Sequence, residues 1–303
     1  MRTALAHSRR IATDAARLWL SRNAFIHAGA LAFYTLFSLA PVAIIAVSIV
    51  GAVFGDDAAH GLVAARLSSI VGPEAAQAVQ QAVMRASPEG SGLIPALTGV
   101  ATLVLGATTV FAQMQTSLNR IWGVTARPHR SGVALFVKNR IVSLAIVLSM
   151  GLILVTSLVA SIALRSLIAY AEGWVAVSPI LLGVAEAAVS VAVFTLLFGV
   201  IFKVLPDVII GWRDVWVGAG ATAVLFVFGR SLIAAYLVLT APASPYGAAG
   251  SLVLLLLWVY YSALILYFGA ALTKAHLLAE GRTVVPRPTA VLVREEIVFE
   301  NGD

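Results

Sequence analysis

The sequence contains no cysteine, which excludes disulfide bonds, cysteine nucleophiles and thiolate metal sites. Charged side chains are also scarce: they make up 11% of the 303 residues, whereas a soluble domain carries about 25%. Apolar residues make up 60% of the chain and occur in long blocks. A helix that is apolar on every face over ~20 residues suits the hydrocarbon core of a bilayer. The composition therefore predicts an integral membrane protein rather than a soluble enzyme.

Several segments are long and apolar enough to cross a bilayer, so the predicted fold is an all-α integral membrane protein with about six transmembrane helices. The predicted spans are Ala28–Phe54, Leu93–Phe111, Ile141–Leu164, Val175–Phe202, Val215–Leu239 and Gly247–Leu272. They divide the chain into an N-terminal cytoplasmic segment at 1–27, a transmembrane domain at 28–275 and a cytoplasmic tail at 276–303. The first apolar block is too long to be the hydrophobic region of a signal peptide.

Positive charge is distributed unevenly between the segments that flank the spans. Residues 1–27 hold five arginines against one aspartate, and residues 112–140 hold five basic residues and no acidic one. Residues 55–92 hold four acidic residues against two basic ones. Basic loops stay on the cytoplasmic side, so we predict a multi-pass protein of the bacterial inner membrane with both termini in the cytoplasm. The net charge of +6 lies beside the apolar blocks, which indicates a membrane surface rather than nucleic acid.

An apolar stripe in the N-terminal segment is formed by Ile11, Ala15, Leu18 and Trp19, which recur at helical spacing. With arginines beside it, the stripe predicts an amphipathic helix that lies at the inner membrane interface. A helix that packs on the transmembrane bundle explains the same pattern equally well. Both interpretations stay open at this stage.

Two further parts of the chain are predicted not to span the membrane. The loop of residues 55–92 is long for a connection and carries two short amphipathic patterns separated at Gly72 and Pro73, which predicts a small helical cap on the outer face. From Pro286 onward the tail contains two prolines and mixed charge, and we predict that it is poorly ordered.

Two charged residues lie well inside predicted spans: Glu186 in the fourth and Arg230 in the fifth. These spans run in opposite directions, and at ~1.5 Å per residue both side chains lie roughly 13–17 Å below the outer boundary. A charge inside a membrane is costly unless it is paired or hydrated. One interpretation is a buried ion pair that fixes the helix register. The other is a charge pair that lines a polar cavity and binds an anionic headgroup or relays a proton.

Other polar or helix-breaking residues are also candidates for function. Pro41 lies near the middle of the first span and predicts a kink, which is either structural or a hinge that lines a cavity. At inner helix ends, Asn119 and Arg120 are candidate contacts for lipid headgroups. Asp207 is a candidate helix cap.

Nothing in the sequence resembles a hydrolytic centre. No two of the five histidines stand at metal-ligand spacing. Neither a phosphate-binding glycine loop nor a nucleophile elbow occurs. We therefore predict no catalytic residue, no metal site and no cofactor. Membrane lipids, and a lipid or anionic solute as substrate, are the predicted partners.

A set of short motifs, in order from the first span to the last, resembles the YihY/BrkB family of bacterial inner-membrane proteins. The motifs are ALAFYTLFSLAP at 30–41, LNRIW at 118–122, Leu205-Pro206 with Trp212 and Gly218-Ala219, Tyr236, Tyr246-Gly247, LWVY at 257–260 and FGA at 268–270. The family-motif positions are Tyr34, Ser38, Pro41, Asn119, Trp122, Pro206, Tyr246, Gly247, Trp258 and Gly269. One departure is Ala271, where the family usually has a glutamate, so any role of that acid is absent here or moved.

The resemblance implies a six-span helical domain with cytoplasmic termini, in agreement with the charge distribution. Members of the family have been labelled virulence or serum-resistance factors, suggested to be transporters, and historically mislabelled as a tRNA-processing ribonuclease. Our leading hypothesis is a transporter or lipid flippase-like protein for an amphipathic or anionic substrate. The alternative is a non-transporting scaffold or envelope-maintenance protein. A ribonuclease carries little weight, because metal-dependent RNA cleavage needs clustered histidine and aspartate ligands.

Overall fold

The computed structural model describes residues 2–36, 38, 109–127, 179–240 and 247–294. The described helices are α1 (Arg2–Ser21), α2 (Ala24–Leu36), α3 (residues 109–122), α4 (Pro179–Val204), α5 (Trp212–Thr240) and α6 (Gly247–Ala279). Two short strands, β1 (Val124–Ala126) and β2 (Ala290–Leu292), pair antiparallel, with Val124 opposite Leu292.

The last three predicted spans correspond to α4, α5 and α6. Within the described residues, apolar windows long enough to cross a membrane occur at Ala187–Val204 in α4 and at Leu255–Ala279 in α6. The third predicted span, the outer cap, Pro41 and Tyr246 lie outside the described residues, and the second span is described only from residue 109. A count of six spans therefore stays a prediction, whereas the helical character of the described part is confirmed.

Helix α1 packs along α6 through the apolar stripe predicted from the sequence. Ile11 and Ala15 are buried and contact Ala275. At the other end of the stripe, the Trp19 indole N–H donates a hydrogen bond to the carbonyl of Leu264 at 3.1 Å. The stripe thus serves helix packing, which is the second of the two open interpretations, and the outward face of α1 is polar and exposed.

Helices α5 and α6 approach each other through two small residues and two threonines. Gly218 lies against the hydroxyl of Thr273, and Gly269 lies against the hydroxyl of Thr222. Both threonines are fully buried, and each donates its hydroxyl hydrogen to the glycine carbonyl one turn earlier in its own helix, at 2.6 Å for Thr222 and 2.8 Å for Thr273. Small residues at such crossings allow close backbone approach, which drives helix association in membranes.

Helices α4 and α5 are antiparallel neighbours joined by residues 205–211. The rings of Phe194 and Phe226 lie with centroids 4.7 Å apart. Nearer the connecting loop, Gly199 faces the indole of Trp216. These contacts fix the register of the two helices relative to each other.

The tail is ordered over the described residues 280–294, so the predicted disorder from Pro286 onward was wrong there. β2 pairs with β1, and Pro286 forms a β-bridge with Val208. The Val293 N–H donates to the carbonyl of Gly123 at 2.8 Å. Prolines and mixed charge do not prevent order here, because the backbone groups of this segment find partners in two neighbouring loops.

Candidate functional site

A polar cavity of about 440 Å³ opens where the α1–α2 turn, the C-terminus of α3, β1 and the α4–α5 loop meet. We call this part of the molecule the basic end. The charged residues that line the cavity are Arg22, Arg120 and Asp207. Its uncharged polar lining is Gln115, Thr116, Asn119 and Thr125.

Lys274, on helix α6, caps the C-terminus of α3. Its ammonium group donates hydrogen bonds to the carbonyls of Ile121 and Trp122, each at 3.0 Å. Carbonyls in the last turn of a helix lack partners within the helix and form the negative end of its dipole. The chain then turns at Gly123, whose φ of 73° lies in the left-handed region that favours glycine.

Positive groups converge at Gly123. A Cβ atom placed there would lie 3.5 Å from Nη2 of Arg22 and 3.6 Å from Nζ of Lys274. Arg120, in the last turn of α3, brings a third positive charge to the same region. Like charges in one region repel, and the repulsion is stronger where water is partly excluded. The cavity wall is therefore electropositive.

Asn119 and Asp207 form the link between α3 and the α4–α5 loop. The Asn119 amide nitrogen donates to the Asp207 carboxylate at 2.8 Å, and the Asp207 backbone N–H donates to the Asn119 amide oxygen at 2.8 Å. Gln115 donates to the same carboxylate at 3.4 Å, and Arg287 from the tail donates its backbone N–H to the Asp207 carbonyl at 2.9 Å. Asp207, predicted as a helix cap, instead joins three segments.

The cap of α5 is Asp214. Its carboxylate accepts the backbone N–H of Gly211 at 2.9 Å, the reciprocal half of a capping box. The same buried carboxylate accepts two hydrogen bonds from the guanidinium of Arg282 in the tail, the longer one at 3.1 Å. The hydrogen bonds from Arg282, more than any other cause, hold the pKa of Asp214 below its ordinary value. The ion pair between Arg282 and Asp214 thus links the tail to the start of α5.

Polar atoms continue inward from the basic end. The buried hydroxyl of Ser117 lies 3.3 Å from Nδ1 of His27 and donates to the carbonyl of Gln113. The indole nitrogen of Trp122 is buried with no hydrogen-bond partner within the described residues. An unpartnered buried donor costs about 1–3 kcal/mol, so this interior is polar at an energetic cost.

The two predicted membrane charges lie on neighbouring helices. Glu186 is on α4 and Arg230 on α5, each 18 residues from the helix end that adjoins the connecting loop. Glu186 lies eight residues beyond Phe194, and Arg230 lies four residues beyond Phe226, so the Phe194–Phe226 contact places their backbone positions about one helical turn apart in depth. Their side chains lie outside the described part of the structure, and pairing between them stays a prediction.

The predicted headgroup residues have different surroundings. Arg120 is exposed and lines the cavity, as a headgroup contact requires. Asn119 also lines it, but its side chain is engaged with Asp207 through both its nitrogen and its oxygen. Headgroup binding by either residue stays a prediction.

The family-motif positions that the structure describes differ in burial. The buried ones are Ser38, Trp122, Pro206 and Gly269. Trp258 packs on Phe226 with ring centroids 5.2 Å apart, Tyr34 is exposed, and Gly247 begins α6.

The sequence did not identify Arg22 and Lys274 as residues of the basic end, nor the ion pair between Asp214 and Arg282. The acid three residues after Gly211 is a recognisable capping signal. The residues that surround Arg22 and Lys274 at the basic end are remote in sequence, and no local pattern indicates them. Within the described ranges, no three histidine or acidic side chains are grouped as metal ligands.

Comparison with known proteins places the chain in a family. The family model described as "Virulence factor BrkB" matches residues 16–289. The UPF0761 membrane protein RSc1559 of Ralstonia nicotianae is 25% identical over 81% of this chain and 54% of its own length. The UPF0761 membrane protein PA0951 of Pseudomonas aeruginosa is 30% identical over 81% of this chain and 57% of its own length.

A third relative, the UPF0761 membrane protein of Alcanivorax borkumensis, is 30% identical over 66% of this chain and 45% of its own length. The chain thus spans about half the length of the curated relatives it matches. No solved structure matches it. The family model covers most of the chain and the relatives are named membrane proteins, so this chain belongs to the BrkB family of membrane proteins.

Proposed function

We propose that this protein is a transporter, of the lipid-flippase kind, for an amphipathic or anionic substrate in the bacterial inner membrane. The observation that carries the proposal is the cavity at the basic end, where Arg22 and Arg120 line a space of about 440 Å³ beside an apolar helical bundle. Pockets that hold small molecules have volumes of about 300–1,000 Å³. A positive cavity next to apolar helices suits a substrate with a negative head and an apolar body.

The position of the cavity supports a substrate that enters from the cytoplasm. Both described chain ends, α1 and the tail, lie at or near the basic end, and basic residues gather there. Since basic segments stay on the cytoplasmic side of a membrane, this end is the cytoplasmic one in our proposal. No ATP-binding motif occurs in the sequence, so transport is passive or driven by an ion gradient.

Glu186 and Arg230 provide the next polar positions along the proposed path. Both lie 18 residues from the loop that joins α4 and α5, which is about 27 Å along a helix at 1.5 Å per residue. A charged headgroup that leaves the cavity and crosses the bilayer core of ~30 Å needs polar partners inside that core. In this proposal the two residues supply them.

The alternative is a scaffold or envelope-maintenance role without transport. The polar outward face of α1 and the ordered tail favour it, because both present fixed polar surfaces at the basic end. In that case Glu186 and Arg230 act only through stability.

Translocation of labelled phosphatidylglycerol and phosphatidylcholine in proteoliposomes tests the proposal. Wild type, Glu186→Gln and Arg230→Gln are compared at equal amounts of folded protein. Arg213→Gln is the matched control, because it removes an exposed arginine from the first turn of α5. We expect translocation by the wild type and the control and its loss in the other two variants. Folded wild-type protein that moves neither lipid would shift the assignment to the scaffold role.

A further inference from the structure

We propose that the cavity at the basic end binds a phosphate anion, as a phosphate monoester or diester, between the guanidinium groups of Arg22 and Arg120. The site deepens the proposed function by naming the chemistry of the substrate head, and its role in transport rests on that function. The binding itself stands on the geometry of the cavity.

The balance of charge in the cavity favours an anion. Arg22 and Arg120 contribute two positive charges to the lining, and Asp207 contributes one negative charge. The Asp207 carboxylate already accepts hydrogen bonds from Asn119 and Gln115. Lys274 adds a positive charge close to Arg22, beside Gly123. The charged side chains of the lining therefore sum to a net positive charge, which attracts an anion.

Arginine is suited to phosphate in particular. Its planar guanidinium presents paired N–H donors that match two phosphate oxygens, and such charge-assisted pairs are stronger than neutral hydrogen bonds. Arg22 belongs to the α1–α2 turn and Arg120 to the end of α3, so the two donors come from different segments. An anion held by both would join these segments.

The remaining lining supplies partners for the groups that a phosphate ester carries. Thr116 and Thr125 bring hydroxyl groups, and Gln115 brings an amide, to the same wall. These groups can exchange hydrogen bonds with hydroxyls such as those of a glycerol head. The absence of a side chain at Gly123 keeps the space beside Arg22 open. A bare inorganic phosphate lacks the hydroxyls of a glycerol head.

Equilibrium binding to the full chain in detergent tests the site. The probes are short-chain phosphatidylglycerol, glycerol 3-phosphate and inorganic phosphate, with short-chain phosphatidylcholine as the net-neutral comparison. The variants are Arg22→Gln and Arg120→Gln. Arg17→Gln is the matched control, because it removes an exposed arginine of α1 that does not line the cavity. Thermal unfolding confirms that each protein is folded, and Arg22→Lys replaces any Arg22→Gln protein that is not.

We expect saturable binding of phosphatidylglycerol to the wild type and to Arg17→Gln. Each cavity variant should bind about ten- to a hundredfold more weakly, the effect of losing a hydrogen-bonded charge. Arg22→Lys keeps the charge but not the paired donors, so it too should bind more weakly than the wild type. Equal weakening by Arg17→Gln, or unchanged binding in the cavity variants, would overturn the site.

The probes separate the two sources of the anion. Tighter binding of phosphatidylglycerol or glycerol 3-phosphate than of inorganic phosphate identifies an ester head, and the reverse order identifies a free phosphate. No saturable binding of any phosphate probe by folded wild type would refute the proposal. Binding without translocation in the proteoliposome assay leaves this site in place and removes the transport function. Translocation without binding of any phosphate probe supports the transport function and removes this site.

Discussion

Gly218 and Thr273 meet so closely across α5 and α6 that a methyl group on the glycine would overlap the threonine hydroxyl. The relationship is repeated one turn away, where Gly269 of α6 meets Thr222 of α5. The crossing is therefore reciprocal: each helix offers a glycine to the threonine of the other. The threonine hydroxyls are satisfied within their own helices, so shape rather than hydrogen bonding joins the pair.

The first prediction concerns this crossing. Gly218→Ala and Gly269→Ala should each destabilise the protein by about 1–3 kcal/mol, because the added methyl must displace a packed helix. Gly220→Ala is the matched control on α5, since nothing lies within 4 Å of a Cβ at that position. It should be neutral or more stable by up to about 1 kcal/mol from helix propensity. Thermal unfolding in detergent measures the difference, and equal effects of all three substitutions would contradict the reciprocal contact.

The second prediction concerns the link between Asn119 and Asp207. Asn119→Ala removes a donor to the carboxylate and an acceptor for the Asp207 backbone N–H. We expect a loss of about 1–3 kcal/mol, because partly buried polar groups lose their partners. Thr116→Ala is the control from the same cavity wall, since its hydroxyl donates only within α3. That change should stay within about 0.5 kcal/mol. Chemical unfolding of the two variants compares the losses, and similar values would show that the link is not stabilising.

The third prediction follows from the pKa of Asp214. Hydrogen bonds from Arg282 hold that pKa below its ordinary value of 3.8. A depressed carboxyl pKa stabilises the folded state at a pH above the ordinary value, and the stabilisation is lost as the pH falls through the folded pKa. The stability gap between wild type and Asp214→Asn should therefore be constant from pH 7 to about 5 and shrink below about pH 4. Unfolding midpoints across this range test it, and a gap that widens in acid would reverse the assigned sign.

Prediction from sequence succeeded where the signal was local. The apolar stretches of α4, α5 and α6 fix these helices by length and composition, and the stripe through Ile11 and Ala15 marks the buried face of α1. The sequence predicted only part of the cavity. Arg120 was a candidate headgroup contact because it lies in a basic loop, whereas Arg22 entered only the charge count that predicts the orientation of the chain in the membrane.

The remainder depends on contacts that are remote in sequence. Lys274 meets the end of α3 across more than 150 positions of chain, and β2 finds β1 across a similar distance. The tail illustrates the cause of one error. Its prolines and charges predict disorder when the segment is considered alone, but the loops at the basic end offer it backbone partners.

The fourth prediction tests the order of the tail. The backbone N–H groups of Arg287 and Val293 donate to carbonyls in other segments, so their hydrogen exchange should be slow. Val293→Pro removes the donor to Gly123 and should raise exchange across β2. Exposed Arg294 provides the comparison, because its N–H donates in none of the hydrogen bonds that the structure describes. Mass spectrometry of deuterium uptake measures all three. Complete exchange of the wild-type tail within seconds would restore the prediction of disorder.

The last prediction separates an ion pair from two independent charges. If Glu186 and Arg230 pair, Glu186→Arg and Arg230→Glu should each destabilise the protein by several kcal/mol, because each replaces the pair by two like charges inside the membrane. The double exchange should recover much of that loss, since the pair is restored in reverse. If the double variant is no more stable than the less stable of the two single variants, pairing is excluded.

The same double variant distinguishes a structural pair from a transport site. A restored fold with restored translocation means that the pair acts only through its charge balance. A restored fold without translocation means that the order of the charges along α4 and α5 matters to the substrate, as a path for an anionic head requires. Both outcomes need the proteoliposome assay alongside thermal unfolding, because stability alone gives the same value in either case.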